Sequence, residues 1–441
     1  MRQAYGAVWE GGVIIGSTNL PPTGIRTLGI YKDASRTRLA RRAGFYALEL
    51  FFLLQLGTIV WDLATVLGDI GLFGDDMCIL AGLLLTLAKK WHSVLYIDEL
   101  SECIEQMQTY HEHYLLQGEW FVRRMRHQNL QERMLQDASK LLATLLASCL
   151  MVNALFSNGE TLILRAIYPF STATTLGYGC VFVCQAFLIV YVLYSMVLID
   201  CIGAQALSQM ALLFCMQRKQ FELIGADLQL PPDGPLHGDR SIRDQLYSAI
   251  ASHQQLLSPE RPLLFTGSFC NRLKRLYEPN IMAQFVCSML IICLTAFELM
   301  FAKGDPMQMV RFGAYMLAGF YQVFVWSFFG NRVTNMSTGI SDATISCNWI
   351  VLADGLKKDL RFTTMRSQKP FVIDVYWLFP LTYETFIAVR VSRGLTRKQN
   401  SFCEVFLFCS FLSPILLHTI SHLQILSRSY SIFTLLRTMI E

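Results

Sequence analysis

Charge is scarce in this chain. Only 16% of its 441 residues are Asp, Glu, Lys or Arg, while 53% are hydrophobic; an ordinary soluble domain carries about 25% charged residues. That deficit excludes a single water-soluble core. The 13 cysteines form no CxxC pair, and Cys149, Cys180, Cys184, Cys287 and Cys293 lie inside apolar stretches, where a thiol is expected to act as a small hydrophobe rather than part of a disulfide framework. A P-loop and a GxSxG nucleophile motif are both missing, so the chain reads as a non-enzyme without cofactor or metal. His418 and His422 have helical ligand spacing, but no Cys or carboxylate stands at ligand spacing nearby. His111 and His113, either side of Glu112, are expected to face water. The net charge of +4 is spread between apolar runs, leaving no continuous basic face for nucleic acid. Nor does a repeat of 20 to 50 residues appear. The first 40 residues are polar and basic and contain Pro21-Pro22, unlike a cleavable signal peptide; insertion is expected to use the first apolar run.

Apolar runs are what the chain has in abundance. They span Ala43 to Leu67, Met77 to Tyr96, Leu141 to Phe156, Leu176 to Ile202, Ile281 to Ala302 and Val310 to Phe329, with a seventh region from Phe371 to Ile440. Several approach or exceed the roughly 20 residues that a bilayer-crossing helix requires. Lys and Arg alternate between the connections: about 28 fall on one side, three on the other. This positive-inside pattern predicts a cytosolic N-terminus. Ile97 to Gln136 carries Leu100, Cys103, Ile104, Met107 and Tyr110 at helical spacing, which predicts that the second and third membrane helices continue into the cytosol. Pro231-Pro232-Asp233-Gly234-Pro235 should divide the following long loop into two helical arms. The sequon at Asn335-Met336-Ser337 would be cytosolic and unmodified.

The stretch from Tyr321 to Trp349 resembles the sixth helix and adjoining cytosolic segment of insect odorant receptors, through Phe329-Gly330-Asn331, Ser337, Ala343 and Trp349. The order continues with Met365-Arg366-Ser367-Gln368-Lys369-Pro370, Phe379-Pro380-Leu381, Glu384-Thr385-Phe386 and the terminal Tyr430 to Arg437. Looser similarity reaches Leu28-Gly29-Ile30. The resemblance implies an all-α polytopic membrane protein with seven transmembrane helices, one subunit of a tetrameric, ligand-gated, non-selective cation channel. It implies assembly with a shared co-receptor in the dendritic membrane of olfactory sensory neurons. The chain looks like a tuning subunit, since it lacks the longer second cytosolic loop of the co-receptor. Its expected organisation is a cytosolic segment 1–42, a six-helix bundle 43–330, the cytosolic part of helix seven at 331–370, and a pore region 371–441.

In that family Thr-Phe is followed after about seven residues by Tyr-Ser. Here 43 residues separate Thr385-Phe386 from Tyr430-Ser431, and removing about 391–426 restores the spacing. The segment is therefore read as an insertion, from a translated intron or an unusual isoform. A gustatory-type channel would share the architecture but not the Tyr430-Ser431 ending. A G-protein-coupled receptor would need the opposite orientation and motifs that are missing here.

A volatile or lipophilic ligand needs an apolar pocket with a few polar groups. Candidates in the outer half are Met77, Leu80, Leu84, Ser148, Met151, Val152, Phe182, Gln185, Phe297, Phe312, Tyr315 and Met316, with Tyr315 and Met151 foremost. Each could equally be a helix-packing or lipid-facing residue. The resemblance assigns the pore to Glu384, Thr385, Ala388, Val389, Ser429, Ile432 and Phe433, with Glu384 at the vestibule and Val389 at a hydrophobic gate. Glu49, Asp200 and Glu298 sit inside runs but near their ends, and are expected to reach an interface.

Overall fold

The computed structural model describes residues 38–66, 70–156, 162–172, 174–226, 240–257, 268–301 and 306–383. Among them run nine α-helices: α1 (Arg38–Thr65), α2 (Ile70–Leu95), α3 (Ile97–Leu115), α4 (Glu119–Phe156), α5 (Thr175–Glu222), α6 (Arg240–Leu257), α7 (Phe269–Phe301), α8 (Pro306–Ser346) and α9 (Asp354–Ser367). A short hairpin follows, β1 (Asp374–Val375) pairing antiparallel with β2 (Phe379–Pro380). Five helices are long and apolar enough to cross a membrane: α1, α4, α5, α7 and α8. The second expected span, α2, is not among those five. Asp75 and Asp76 at one end and Lys89 and Lys90 at the other confine its uncharged stretch to Met77–Ala88. Of the seventh region, expected from Phe371 to Ile440, residues 371–382 form the hairpin and its approaches rather than helix, and the rest, after Tyr383, falls outside the described residues.

Helix length divides the molecule into two levels. With 48 residues, α5 is about 72 Å long at 1.5 Å per residue, more than twice the hydrocarbon thickness. The Thr174 side chain caps its start by accepting the Gly177 N–H at 3.1 Å. Toward that end α5 exposes Leu176, Val183, Phe187 and Val190, as a lipid-facing helix should. From Leu198 onward it is buried on nearly every side, and Leu207, Met210, Phe214 and Met216 form the axis of a second core. The 41-residue α8 behaves likewise, starting with Pro306 in the first turn, where a missing N–H costs nothing. Helices α3, α6 and α9 pack around this inner core through Leu100, Met107, Leu246 and Leu360.

Several expectations change. The boundary expected at Gly330 falls inside α8, which continues to Ser346; a 3₁₀ turn at Trp349–Val351 then leads into α9. Residues 331–346 thus extend the sixth helix, because no breaker interrupts the sequence before Cys347. His111 faces the core rather than water. It shares a helical face with Leu100, Cys103, Met107 and Tyr114, and its Nδ1 hydrogen-bonds the Met107 carbonyl at 2.8 Å.

Glu49 and Asp200 do not stop at an interface. Lys90 pairs with Glu49 and the Tyr191 hydroxyl, while Lys89 pairs with Asp200 and the Gln284 amide oxygen. These lysines, counted as cytosolic charge in the sequence, are buried ties from α2 to α1, α5 and α7.

Two glycines permit the closest approaches. A methyl group at Gly203 of α5 would come within 2.4 Å of the Trp326 ring on α8. At Gly330 of α8 it would meet the Leu381 carbonyl at 2.4 Å, and that residue is fully buried. Gly330→Ala should therefore cost about 1–3 kcal/mol through overpacking. Gly57→Ala, on open surface, should be neutral or slightly stabilising. Thermal unfolding of the two variants in detergent checks the contrast.

The inner core also holds two neutral histidines. Burial lowers His111 to about 4; burial and the nearby Arg366 lower His253 to about 4, with its Nδ1 3.2 Å from Gln217 Oε1. Because the unfolded value is near 6.5, their contribution is complete above that pH and is lost as pH falls toward 4. The apparent Tm should drop by on the order of a few degrees between pH 7.5 and 5. His253→Gln should reduce that drop.

Candidate ligand site

At the outer level, α1, α2, α4 and α5 enclose a second apolar cluster. It contains Phe52 and Ile59, Ile79 and Leu83, Ala147, Leu150 and Ala154, and Leu188, Ile189 and Val192. Met151, Phe182 and Tyr315 pack against it from α4, α5 and α8, so three of the expected ligand residues meet here. The periodicity of α4 explains the selection. Met151 shares the inward face with Ala147, Leu150 and Ala154, while Ser148 and Val152 point outward, Val152 being 41% exposed. Leu84 also faces out, at 46% exposure. Met77, Leu80, Phe297 and Met316 are half-buried and Phe312 is buried, but none belongs to this cluster.

The segment 162–172 lies across this cluster as a roof. Ile163 and Leu164 insert into it, both nearly fully buried. Gln185, expected to contact ligand, is instead committed to holding the roof. Its amide oxygen accepts the Leu164 N–H at 3.0 Å, and its amide nitrogen donates to the Leu164 carbonyl at 2.7 Å and the Tyr168 hydroxyl at 3.1 Å. Tyr168 in turn donates to Gln55 Oε1 of α1 at 2.9 Å, and Arg165 pairs with Asp62 at 2.9 Å. Sequence reasoning missed Ile163, Leu164 and Tyr168; the apolar character of Leu162–Tyr168 within a short connection was the signal available.

A charged rim borders the roof. Arg311 of α8 pairs with Asp75 of α2 at 2.7 Å and lies 4.8 Å from the Phe312 ring centre. Beside it, Gly74 leaves room for Glu298, which is buried in the bundle instead of reaching an interface. About one turn inward from Met151 and Tyr315, a crevice opens between α4, α5 and α8, with a volume of about 620 Å³ counting its mouth. Leu142, Leu146, Met196 and Trp326 supply apolar walls. Asp200, Gln322 and the Ser139–Tyr321 hydroxyl pair, 2.7 Å apart, supply polarity. That mixture of apolar walls and a few polar groups is the composition expected where a small lipophilic molecule binds. Among the described residues no group of three His, Cys, Asp or Glu could hold a metal. Every expected pore residue, Glu384 to Val389 and Ser429 to Phe433, lies outside the described residues.

A multi-pass helical membrane protein with a largely apolar crevice between its helices is the class these features define. The 7tm odorant receptor family model matches residues 69–391, and the chain belongs to that family. This is a receptor family rather than an enzyme family. Odorant receptor 47b of Drosophila melanogaster is 22% identical over 369 residues, covering 78% of this chain and 81% of that protein. Odorant receptor 2a of the same species is 31% identical over 156 residues, 34% of this chain and 38% of its own length. Among solved structures, the olfactory receptor OR5 from Machilis hrabei superposes with a TM-score of 0.67 at 12% identity, covering 88% of this chain and 96% of that one. The same receptor solved with eugenol gives a TM-score of 0.66 at 11% identity.

Gln185→Leu should release the roof. It leaves the Leu164 amide and carbonyl without their partner, at a cost of about 1–3 kcal/mol. Hydrogen exchange over 162–168 should accelerate by on the order of tenfold relative to the α5 amides, whereas Tyr168→Phe should give a smaller change.

Proposed function

We propose that this chain is the ligand-tuned subunit of an odorant-gated, non-selective cation channel, assembling with a shared co-receptor, probed by small volatile or lipophilic molecules, and resident in the dendritic membrane of olfactory neurons. The observation that carries this reading is the crevice beneath Met151 and Tyr315 in a member of the odorant receptor family. The eugenol complex of the Machilis receptor supports small-molecule binding within this fold.

The mechanism is a population shift. Ligand in the crevice contacts α4, α5 and α8, and the last of these carries the Gly330–Leu381 contact that leads into the expected pore segment. A ligand that binds the open arrangement more tightly shifts the equilibrium by that difference in affinity and no more. Outward movement of the final helix then wets a hydrophobic gate near Val389. Selectivity between odorants is modest per group, about 1–3 kcal/mol for a methylene in an apolar pocket. The insertion at 391–426 would split the pore helix. The family match ends at residue 391, where the spacing argument places its start.

Voltage-clamp recording from cells that express the chain with an insect co-receptor tests both parts of the proposal. Current evoked by a volatile is expected once 391–426 is removed, and Leu146→Ala or Met196→Ala in the crevice wall should then raise the half-maximal concentration about tenfold or more. Current from the uncut chain would overturn the insertion reading. Silence from both forms at confirmed surface expression, across a broad panel, would count against the receptor reading itself.

A further inference from the structure

The β1–β2 hairpin ends in a turn that its residues do not favour. The Leu378 N–H closes it on the Val375 carbonyl at 2.9 Å, and the two central residues have positive φ, 45° at Tyr376 and 62° at Trp377. Such turns favour Asn and Gly, because a side chain crowds the backbone in the left-handed region. Two large aromatics stand here instead, and Trp377 is 93% exposed.

The base of the hairpin holds this tip out rigidly. Ile373, Val375 and Leu381 are fully buried, the Leu381 N–H donates to the Ile373 carbonyl at 2.7 Å, and the Phe379 ring lies 5.0 Å from that of Phe285 on α7. Lys274 of α7 pairs with Asp374, and its Nζ is 5.8 Å from the Trp377 ring centre. An anchored base lets an unfavourable conformation persist, and such strain tends to mark a site of use.

The level of the tip suggests its partner. Phe285 and Gly330, against which the hairpin packs, lie at the inner ends of the apolar runs of α7 and α8. At the inner end of α2, Trp91, Leu95 and Tyr96 are exposed. Between α2, α3, α5 and α7 at this level lies a shallow crevice. It is edged by Tyr96 and walled by Leu100, Ile199 and Leu276. Trp and Tyr grouped with Lys around an apolar opening is the composition of a membrane–water boundary, where amphipathic rings sit among headgroups and a Lys stem reaches past them.

We propose that the Tyr376–Trp377 tip is an interfacial anchor. It inserts into the headgroup layer of the leaflet on the side of the long connections. The anchor fixes the height of the chain just before residue 384. This requires only that the chain spans a bilayer, and stands apart from ligand gating.

The test uses the full chain reconstituted in phosphatidylcholine vesicles whose acyl chains are brominated close to the headgroup. Trp377→Phe should remove one tryptophan's share of the quenched fluorescence, out of seven tryptophans, and should change little with chains brominated at their tips. The double variant Tyr376→Asn, Trp377→Gly suits the turn, so it should melt no lower than wild type while losing the same share. Quenching unchanged in Trp377→Phe would overturn the proposal. So would a benzophenone side chain at position 377 that cross-links to a second polypeptide rather than to lipid.

Discussion

Two helices twice as long as a bilayer is thick must satisfy two surroundings at once, and the rest of the molecule follows from that constraint. In the outer half of α5, apolar side chains can face lipid, so helices need not bury them against one another. Below the bilayer the same exposure would meet water. There α3, α6 and α9 gather around the extensions of α5, α7 and α8 to form an ordinary packed core. The crossing of α5 and α8, where Trp326 fills the space that Gly203 leaves open, joins the two levels. A side chain at 203 would push apart the helices that wall the candidate crevice on one side and the packed core on the other.

The polar network at this crossing concerns specificity more than strength. Lys89 with Asp200 and Gln284, and Lys90 with Glu49 and Tyr191, bring four helices to one height. Buried pairs recover little net energy after desolvation, but losing one member strands a charge at a cost of about 3–5 kcal/mol. Sliding α2 by a turn past α5 would break the Lys89–Asp200 pair and sliding it past α1 the Lys90–Glu49 pair, so the network fixes axial register where apolar packing alone would permit slippage. Asp200 also lines the crevice, with 15% of its side chain exposed, so the group that fixes register contributes polarity to the candidate site.

The outer cluster and its roof form a second system with different physics. Its walls are mostly small and branched apolar residues, and its closure rests on a handful of polar contacts, with Gln185 making three of them. Gln185 pairs both backbone groups of Leu164, satisfying in a connecting segment what a helix or sheet would satisfy by repetition. A few directional bonds across α1, α5 and the segment can break together. The packed inner core opens less readily, since its contacts are many and non-directional.

Much of this was legible in the residues. The apolar runs located α1, α4, α5, α7 and α8, because segment hydrophobicity is a local property and one bilayer sets the required length. Of the residues expected to line a ligand site, Met151, Phe182 and Tyr315 face the interior of the bundle, while Ser148, Val152 and Leu84 face outward. Absolute helix rotation comes from packing partners, and an all-apolar helix has no polar face to reveal it. The same limit hid the role of Gln185 and the partners of Lys89 and Lys90, which lie across sequence separations of 21 to 195 residues. The sequence by itself determined which segments belong in lipid, since transfer free energy adds up residue by residue. Only the tertiary structure decided which polar groups meet, because a hydrogen bond or ion pair depends on distance and direction between chain segments that no local pattern encodes.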